Sequence, residues 1–172
     1  MKIAIIVNFD KKGAVSTASE ITSLLTREGA EVYTLKSDFS HKLHSTKEFD
    51  THNELVANCD VLLTVGGDGT IIHCAKHAAA YSKPILGINT GRLGYVAELE
   101  ADETYMLKSL LNGEYTIENR LILSVNVKRA NGSTECYTAI NDAVISRGAL
   151  SRIIDLSVKI DGAPVCSYRA DG

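Results

Sequence analysis

The sequence predicts an α/β fold: an open parallel-sheet, Rossmann-like N-terminal domain followed by an antiparallel β domain that is incomplete within these 172 residues. Three observations carry that expectation. Lys2–Asn8 is a continuous apolar run, as expected of a strand covered on both faces. Strand and helix patterns then alternate through the first hundred residues. From Leu121 onward the pattern changes to period two, with Asn-Gly and Asp-Gly turn signals between the runs.

The elements follow in order. Thr17-Ala18-Ser19-Glu20 has the form of a capping box. Ala18, Ile21, Leu24 and Leu25 give a helical stripe behind it, and Gly29 is a plausible stop. For Ser16, Thr17 and Ser19, capping is preferred to phosphate contact. Glu31–Leu35 reads as a second strand, and Ser37–Asn53 as a polar surface loop. Val61–Val65, a helix near Thr70–Tyr81 and Pro84–Asn89 complete a strand–helix–strand unit. An open parallel sheet takes its ligands beyond the carboxyl ends of its strands. Gly66–Thr70 and Asn89–Gly94 both fall at that edge.

A further helix is expected with Asp102 as N-cap, Met106, Leu107, Leu110 and Leu111 as its stripe, and Gly113 near its end. Leu121, Leu123, Val125 and Val127 then alternate with Ile122, Ser124, Asn126 and Lys128. Asn131-Gly132 signals a hairpin turn, and Tyr137–Ser146 reads as the returning strand. Leu156, Val158 and Ile160 repeat the alternation, and Val165–Arg169 follows the Asp161-Gly162 turn. Two domains result, 1–100 and 101–172, with the junction near 98–118. The small β sheet has one poorly covered face. It is expected to be the front portion of a longer protein, or to be stabilised by a partner.

Composition narrows the function classes. A hydrophobic fraction of 45% and a charged fraction of 23% are those of a soluble globular protein. A net charge of −3 gives no reason to expect nucleic acid or an anionic membrane as partner. No apolar run approaches the roughly 20 residues of a membrane span. Met1–Val7 is too short for a signal peptide, so a cytoplasmic location is expected. Cys59, Cys74, Cys136 and Cys166 form no CxxC pair and read as reduced thiols. His73 and His77 stand at i, i+4 without the intervening Glu of a zincin. They read as ordinary helix histidines, and no metal-ligand set is assigned. His41, His44 and His52 lie in a polar stretch and read as solvated.

The chemistry concentrates in Val65-Gly66-Gly67-Asp68-Gly69-Thr70. It falls between an apolar strand and a helix, the order that nucleotide phosphates need. Glycines let backbone N–H groups approach an anion. An aspartate beside phosphate is repulsive unless it holds a cation or takes a proton from an attacking hydroxyl. That points to phosphoryl transfer. The competing reading is a tight strand-to-helix turn with Asp68 as a local cap. No GxxxxGK[ST] loop is present, which excludes a Walker-type NTPase. Gly87–Gly94 is not GxGxxG and gives no support to a hydride-transferring enzyme.

Four separated segments carry a family resemblance: Gly66-Gly67-Asp68-Gly69-Thr70, Asn89-Thr90-Gly91-Arg92-Leu93-Gly94-Tyr95, Ala139-Ile140-Asn141-Asp142-Ala143 and Tyr168-Arg169-Ala170-Asp171-Gly172. In this order and spacing the chain resembles the bacterial NAD kinases along essentially its whole length. The first segment alone is shared with lipid kinases and phosphofructokinases. Ile71-Ile72-His73, where diacylglycerol-type kinases carry Asn-Glu, counts against those enzymes.

The resemblance implies ATP-dependent phosphorylation of the adenosine-ribose 2′-hydroxyl of NAD, assisted by magnesium. It implies that Asp68 is catalytic, facing that ribose. It places Gly66, Gly67, Gly69, Thr70, Asn89, Arg92, Leu93 and Gly94 in the nucleotide-binding segments. It sets Tyr95 near the adenine, Asn141 and Asp142 on the dinucleotide, and Arg169 and Asp171 in the last binding segment, Asp171 on the nicotinamide side. Arg92 reads equally as a phosphate contact or a surface arginine. From the residues alone, Asn141-Asp142 also reads as a bulge or turn. Asp142 is shorter than the Glu many relatives carry there. The family's Gly/Thr/Ser/Ala-rich segment after the position of Gly172 is not in this sequence, so the 172 residues alone are expected to be inactive or nearly so. Family members are homo-oligomers, which implies a dimer or tetramer here. A lipid or sugar kinase, and a non-enzymatic nucleotide-sensing or assembly module, remain as alternatives.

Overall fold

The computed structural model describes residues 1–36, 43–91, 94, 96–147 and 153–172. They fall into two compact units, Met1–Ile122 and Leu123–Gly172.

The first unit contains β1 (Lys2–Val7), α1 (Ala14–Arg27), β2 (Glu31–Leu35), β3 (Lys47–Phe49), α2 (His52–Asn58), β4 (Val61–Gly66), α3 (Asp68–Ala80), β5 (Ile85–Asn89), β6 (Leu99–Glu100), a 3-10 turn (Ala101–Met106) and α4 (Leu107–Asn112). The six strands form one sheet in the order β3-β2-β1-β4-β5-β6, with every pairing parallel. This is the Rossmann-like sheet that the continuous apolar runs predict. In β1, Ile3, Ile5 and Val7 pack with Ala18, Ile21 and Leu25 of α1 and Leu107 and Leu110 of α4. Ala4 and Ile6 pack on the other face with Leu55 and Val56 of α2 and Cys74 and Ala78 of α3. Both faces are covered, so no polar alternation survives in the strand. Each large side chain buried here contributes about 1.5–3 kcal/mol.

The two helices beside the central strands lie on opposite faces, α1 with one cluster and α3 with the other. The chain therefore winds away from β1 toward β2 and from β4 toward β5. The carboxyl ends of β1 and β4 form the topological switch point, where open α/β sheets bind ligands.

Several local expectations need correction. Helix α1 begins at Ala14 with Gly13 at its N-cap, so Thr17-Ala18-Ser19-Glu20 lies inside it. Thr17 is buried, because its position on the helix faces the sheet. The Ser37–Asn53 segment is not all loop: it contains β3, and His52 opens α2, capped by Thr51, whose hydroxyl accepts from the Glu54 N–H. A three-residue edge strand with Phe49 as its buried residue shows no period in sequence. Residues 37–42 of that segment lie outside the described residues. Asp102 is not a cap but lies within the 3-10 turn, where Glu103 accepts from the Glu100 N–H at 2.9 Å. Met106 is exposed, while Leu107 and Leu110 carry the buried stripe.

The second unit holds two antiparallel hairpins, β7 (Leu123–Lys128) with β8 (Thr134–Ala139) and β9 (Ile154–Ile160) with β10 (Ala163–Ala170). The Asn131-Gly132 turn closes as expected: Arg129 N donates to Ser133 O at 2.8 Å and Gly132 N to Arg129 O at 2.9 Å. Across it, Arg129 grips Glu135 with two nitrogens at 3.1 and 2.8 Å, and the Tyr137 hydroxyl donates to Glu135 at 2.6 Å. These donors hold the Glu135 carboxyl down at about 2. The returning strand ends at Ala139, short of the expected Ser146, so Asn141-Asp142 stands beyond it in a bend. Val144, Ile145, Ile160, Val165 and Tyr168 are exposed.

Candidate active site

Three loops converge at the switch point of the first unit. Asn8, just past β1, donates its backbone N–H to Val65 O at 2.9 Å and its side-chain Nδ2 to Thr70 Oγ1 at 3.1 Å. Thr90, just past β5, donates its N–H to Gly66 O at 2.8 Å. Gly66 is therefore packed from both sides. A Cβ there would stand 2.5 Å from Thr70 Oγ1 and 3.0 Å from Asn8 Cβ, so the close approach of β1 to α3 requires glycine. Gly67 and Gly69 differ, since a Cβ at either would meet nothing within 4 Å. They leave the floor of the crevice bare of side chains.

Asp68 is the first residue of α3, with Gly67 at the N-cap. Its carboxylate thus stands at the positive end of the helix. Oδ1 accepts from the Val96 N–H at 3.3 Å. A Cβ on Gly94 would overlap the Asp68 carboxylate, so the backbone at 94 lies directly against it. The half-buried acid is held in place by the loop after β5, a tie that a purely local cap does not need.

Asp68, Gly69, Thr70, Thr90, Gly91 and Gly94 line a cavity of about 660 Å³ together with Asn8, Lys11 and Lys12. A second cavity of about 400 Å³ shares Asn8, Gly69 and Thr70 and is bordered by Asp10, His52, His73 and Cys74. His52 stacks on His77 with centroids 5.4 Å apart, and His73 meets His77 edge-on at 6.1 Å. Burial, followed by the charges of His52, Lys76 and His73, lowers the His77 pKa. Burial raises the Cys74 thiol to about 11.

Among the expected site residues, Gly66, Gly67, Asp68, Gly69, Thr70 and Gly94 come together around this crevice. Asn89 is the supporting member. Its side chain is 1% exposed, donates Nδ2 to both carboxylate oxygens of Glu100 at 3.1 and 2.9 Å, and accepts from the Gly91 N–H at 3.1 Å. It shapes the loop that carries Gly94. Arg92, Leu93 and Tyr95 lie outside the described residues.

In the second unit, Asn141 donates to Asp142 at 3.1 Å, and both are exposed. Arg169 pairs with Asp155 at 2.9 Å across the β9–β10 hairpin. Arg147 N donates to Asp171 O at 2.9 Å, tying the segment after Asn141-Asp142 to the end of β10. Asn8, Lys11 and Lys12 were not singled out from sequence. The available signal was their position directly after the first strand, at the edge where an open sheet binds.

An open doubly wound sheet with a bare glycine loop at its switch point is the arrangement in which α/β domains offer backbone N–H groups to an anionic ligand. The profile of the ATP-NAD kinase N-terminal domain matches residues 3–115. The NAD kinase of Symbiobacterium thermophilum is 37% identical over 99% of this chain and 60% of its own length. That of Chlorobium phaeobacteroides (strain BS1) is 34% identical over 100% of this chain and 59% of its own. The crystal structure of yeast NADH kinase complexed with NADH superposes with a TM-score of 0.83 at 21% identity, over 99% of this chain and 52% of that one, a likeness of fold. The chain belongs to the ATP-NAD kinase family. It spans about three-fifths of the length of the curated relatives it matches.

Proposed function

We propose that the protein transfers the terminal phosphoryl group of ATP to the adenosine-ribose 2′-hydroxyl of NAD, giving NADP. The observation that carries this reading is Asp68, held by Gly94 and Val96 at the edge of a glycine-floored crevice on a helix N-terminus. A ribose hydroxyl is a poor nucleophile at neutral pH, and positioning with charge neutralisation does most of the work in phosphoryl transfer. Asp68 orients the hydroxyl and accepts its proton as the new oxygen–phosphorus bond forms. The bond to the bridging oxygen breaks, and ADP leaves with the electron pair. The proton then passes to solvent.

Asp68 also fits a divalent cation delivered on the donor phosphates, because magnesium keeps several waters and takes one or two carboxylates beside phosphate oxygens. When bound, such an ion neutralises charge on the transferred group. Asn141, with two donors and an acceptor, suits the dinucleotide's polar edges, and Asp142, Arg169 and Asp171 complete that set in a β-rich NAD-binding domain. The active protein is a cytoplasmic homo-oligomer in this reading. No helix among the described residues is long and apolar enough to cross a membrane.

The test is NADP formation from NAD, ATP and magnesium by the full protein, read with an NADP-specific dehydrogenase. Product is expected. Binding of NAD without transfer would leave a nucleotide-binding module, and transfer to a lipid or sugar but not to NAD would change the acceptor.

A further inference from the structure

The loop after β1 carries two ammonium groups that the reading above does not use. Lys11 and Lys12 line the same cavity as Asp68, Gly69 and Thr70. Neither forms an ion pair among the described residues. Their loop has a defined shape. Asn8 Oδ1 accepts from the Asp10 N–H at 3.1 Å, which turns the chain as it leaves the strand. Lys11 N donates to Asn8 O at 3.1 Å, and Ala14 N to Lys11 O at 3.2 Å, leading into α1. The Asn8 side chain that shapes this turn also reaches across to Thr70 Oγ1 on the glycine loop. One side chain therefore fixes the lysine loop and the glycine loop to each other.

The charge balance shows why this matters. A triphosphate is polyanionic, and the carboxylate lining this cavity, Asp68, repels it. A helix N-terminus offers roughly half a positive charge. Among the described residues lining this cavity, the two lysines add positive charge in the residue type that binds phosphate as a point charge.

We propose that Lys11 and Lys12 form the cationic wall for the phosphate chain of the phosphoryl donor, and that Asn8 is a positioning residue latching this wall to the glycine loop. The inference rests on the phosphoryl-transfer reading and assigns the donor side of the same site.

The experiment uses the full protein. Isothermal titration with inorganic tripolyphosphate is paired with steady-state KM values for ATP and for NAD. The variants are K11A/K12A, N8A and the triple combination. K11A/K12A is expected to weaken tripolyphosphate binding and raise the KM for ATP by roughly ten- to a hundredfold, the worth of hydrogen bonds to a charged group. The KM for NAD stays unchanged. N8A is expected to raise the KM for ATP in the wild-type background and to add nothing when both lysines are absent, the signature of a residue acting through them. An unchanged KM for ATP in K11A/K12A, or an equal rise in both KM values, would overturn the inference, and so would full additivity of N8A. The lysine variants test the wall even if N8A fails to fold. If the wild-type protein makes no NADP yet binds tripolyphosphate in a lysine-dependent way, the phosphate site stands and the acceptor assignment fails. If the wild-type protein makes NADP and K11A/K12A binds tripolyphosphate unchanged, the inference alone fails.

Discussion

Replacing Asn89 with alanine tests whether the crevice is built from β5 outward. Asn89 is fully buried and pairs directly with Glu100 in the parallel register of β5 and β6. Its amide nitrogen bridges both Glu100 oxygens at 3.1 and 2.9 Å, a charge-assisted contact worth about 1.5–3 kcal/mol. Its oxygen takes the Gly91 N–H at 3.1 Å, worth about 1 kcal/mol. N89A should therefore lose about 2.5–4 kcal/mol. At a urea slope of about 1.5 kcal/mol/M, the midpoint falls by roughly 2 M. The helices of the described chain all lie in the first unit, so the helical CD signal reports on that unit alone. N89D should be worse at neutral pH, because it sets a second carboxylate against Glu100. A loss under about 1 kcal/mol for N89A would mean that water replaces these bonds and that Asn89 does not organise the loop.

Further predictions concern separate parts of the chain. The Cβ that G94A adds displaces the Asp68 carboxylate, so turnover should fall toward that of an Asp68 variant while circular dichroism is retained. Thr64 is 0% exposed and its hydroxyl has no hydrogen-bond partner among the described residues, so T64V should stabilise the first unit by about 1 kcal/mol in the same urea assay. Glu135, held at about 2 by Arg129 and Tyr137, should titrate by NMR well below an ordinary glutamate. Its folded pKa is depressed, so the hairpin clip is present above the unfolded value and is lost as pH falls from about 4.5 toward 2.

The parallel sheet was legible because its central strands are buried on both faces and leave unbroken apolar runs. Glu31–Leu35 was legible to the residue. The glycine loop was legible because Gly66, Asp68 and the start of α3 are contiguous. What escaped depends on contacts distant in sequence. Asn8 joins the site only because β1 pairs with β4, which brings it to Thr70, 62 residues away. The resemblance sets Asn89 in a binding segment, but its contact with Glu100 on a two-residue strand has no sequence signal. The Thr17–Glu20 box failed for a local reason, because the same letters suit a helix interior once Gly13 starts the helix earlier.

The central claim is that Asp68 takes part in moving a phosphoryl group onto NAD. The most direct measurement compares D68N with the wild type in the full protein, reading NADP turnover and NAD affinity side by side. Losing a positioned general base should cut turnover about 10²–10⁴-fold while NAD binding changes little. Equal turnover in D68N would contradict the account and return Asp68 to a structural role in the turn.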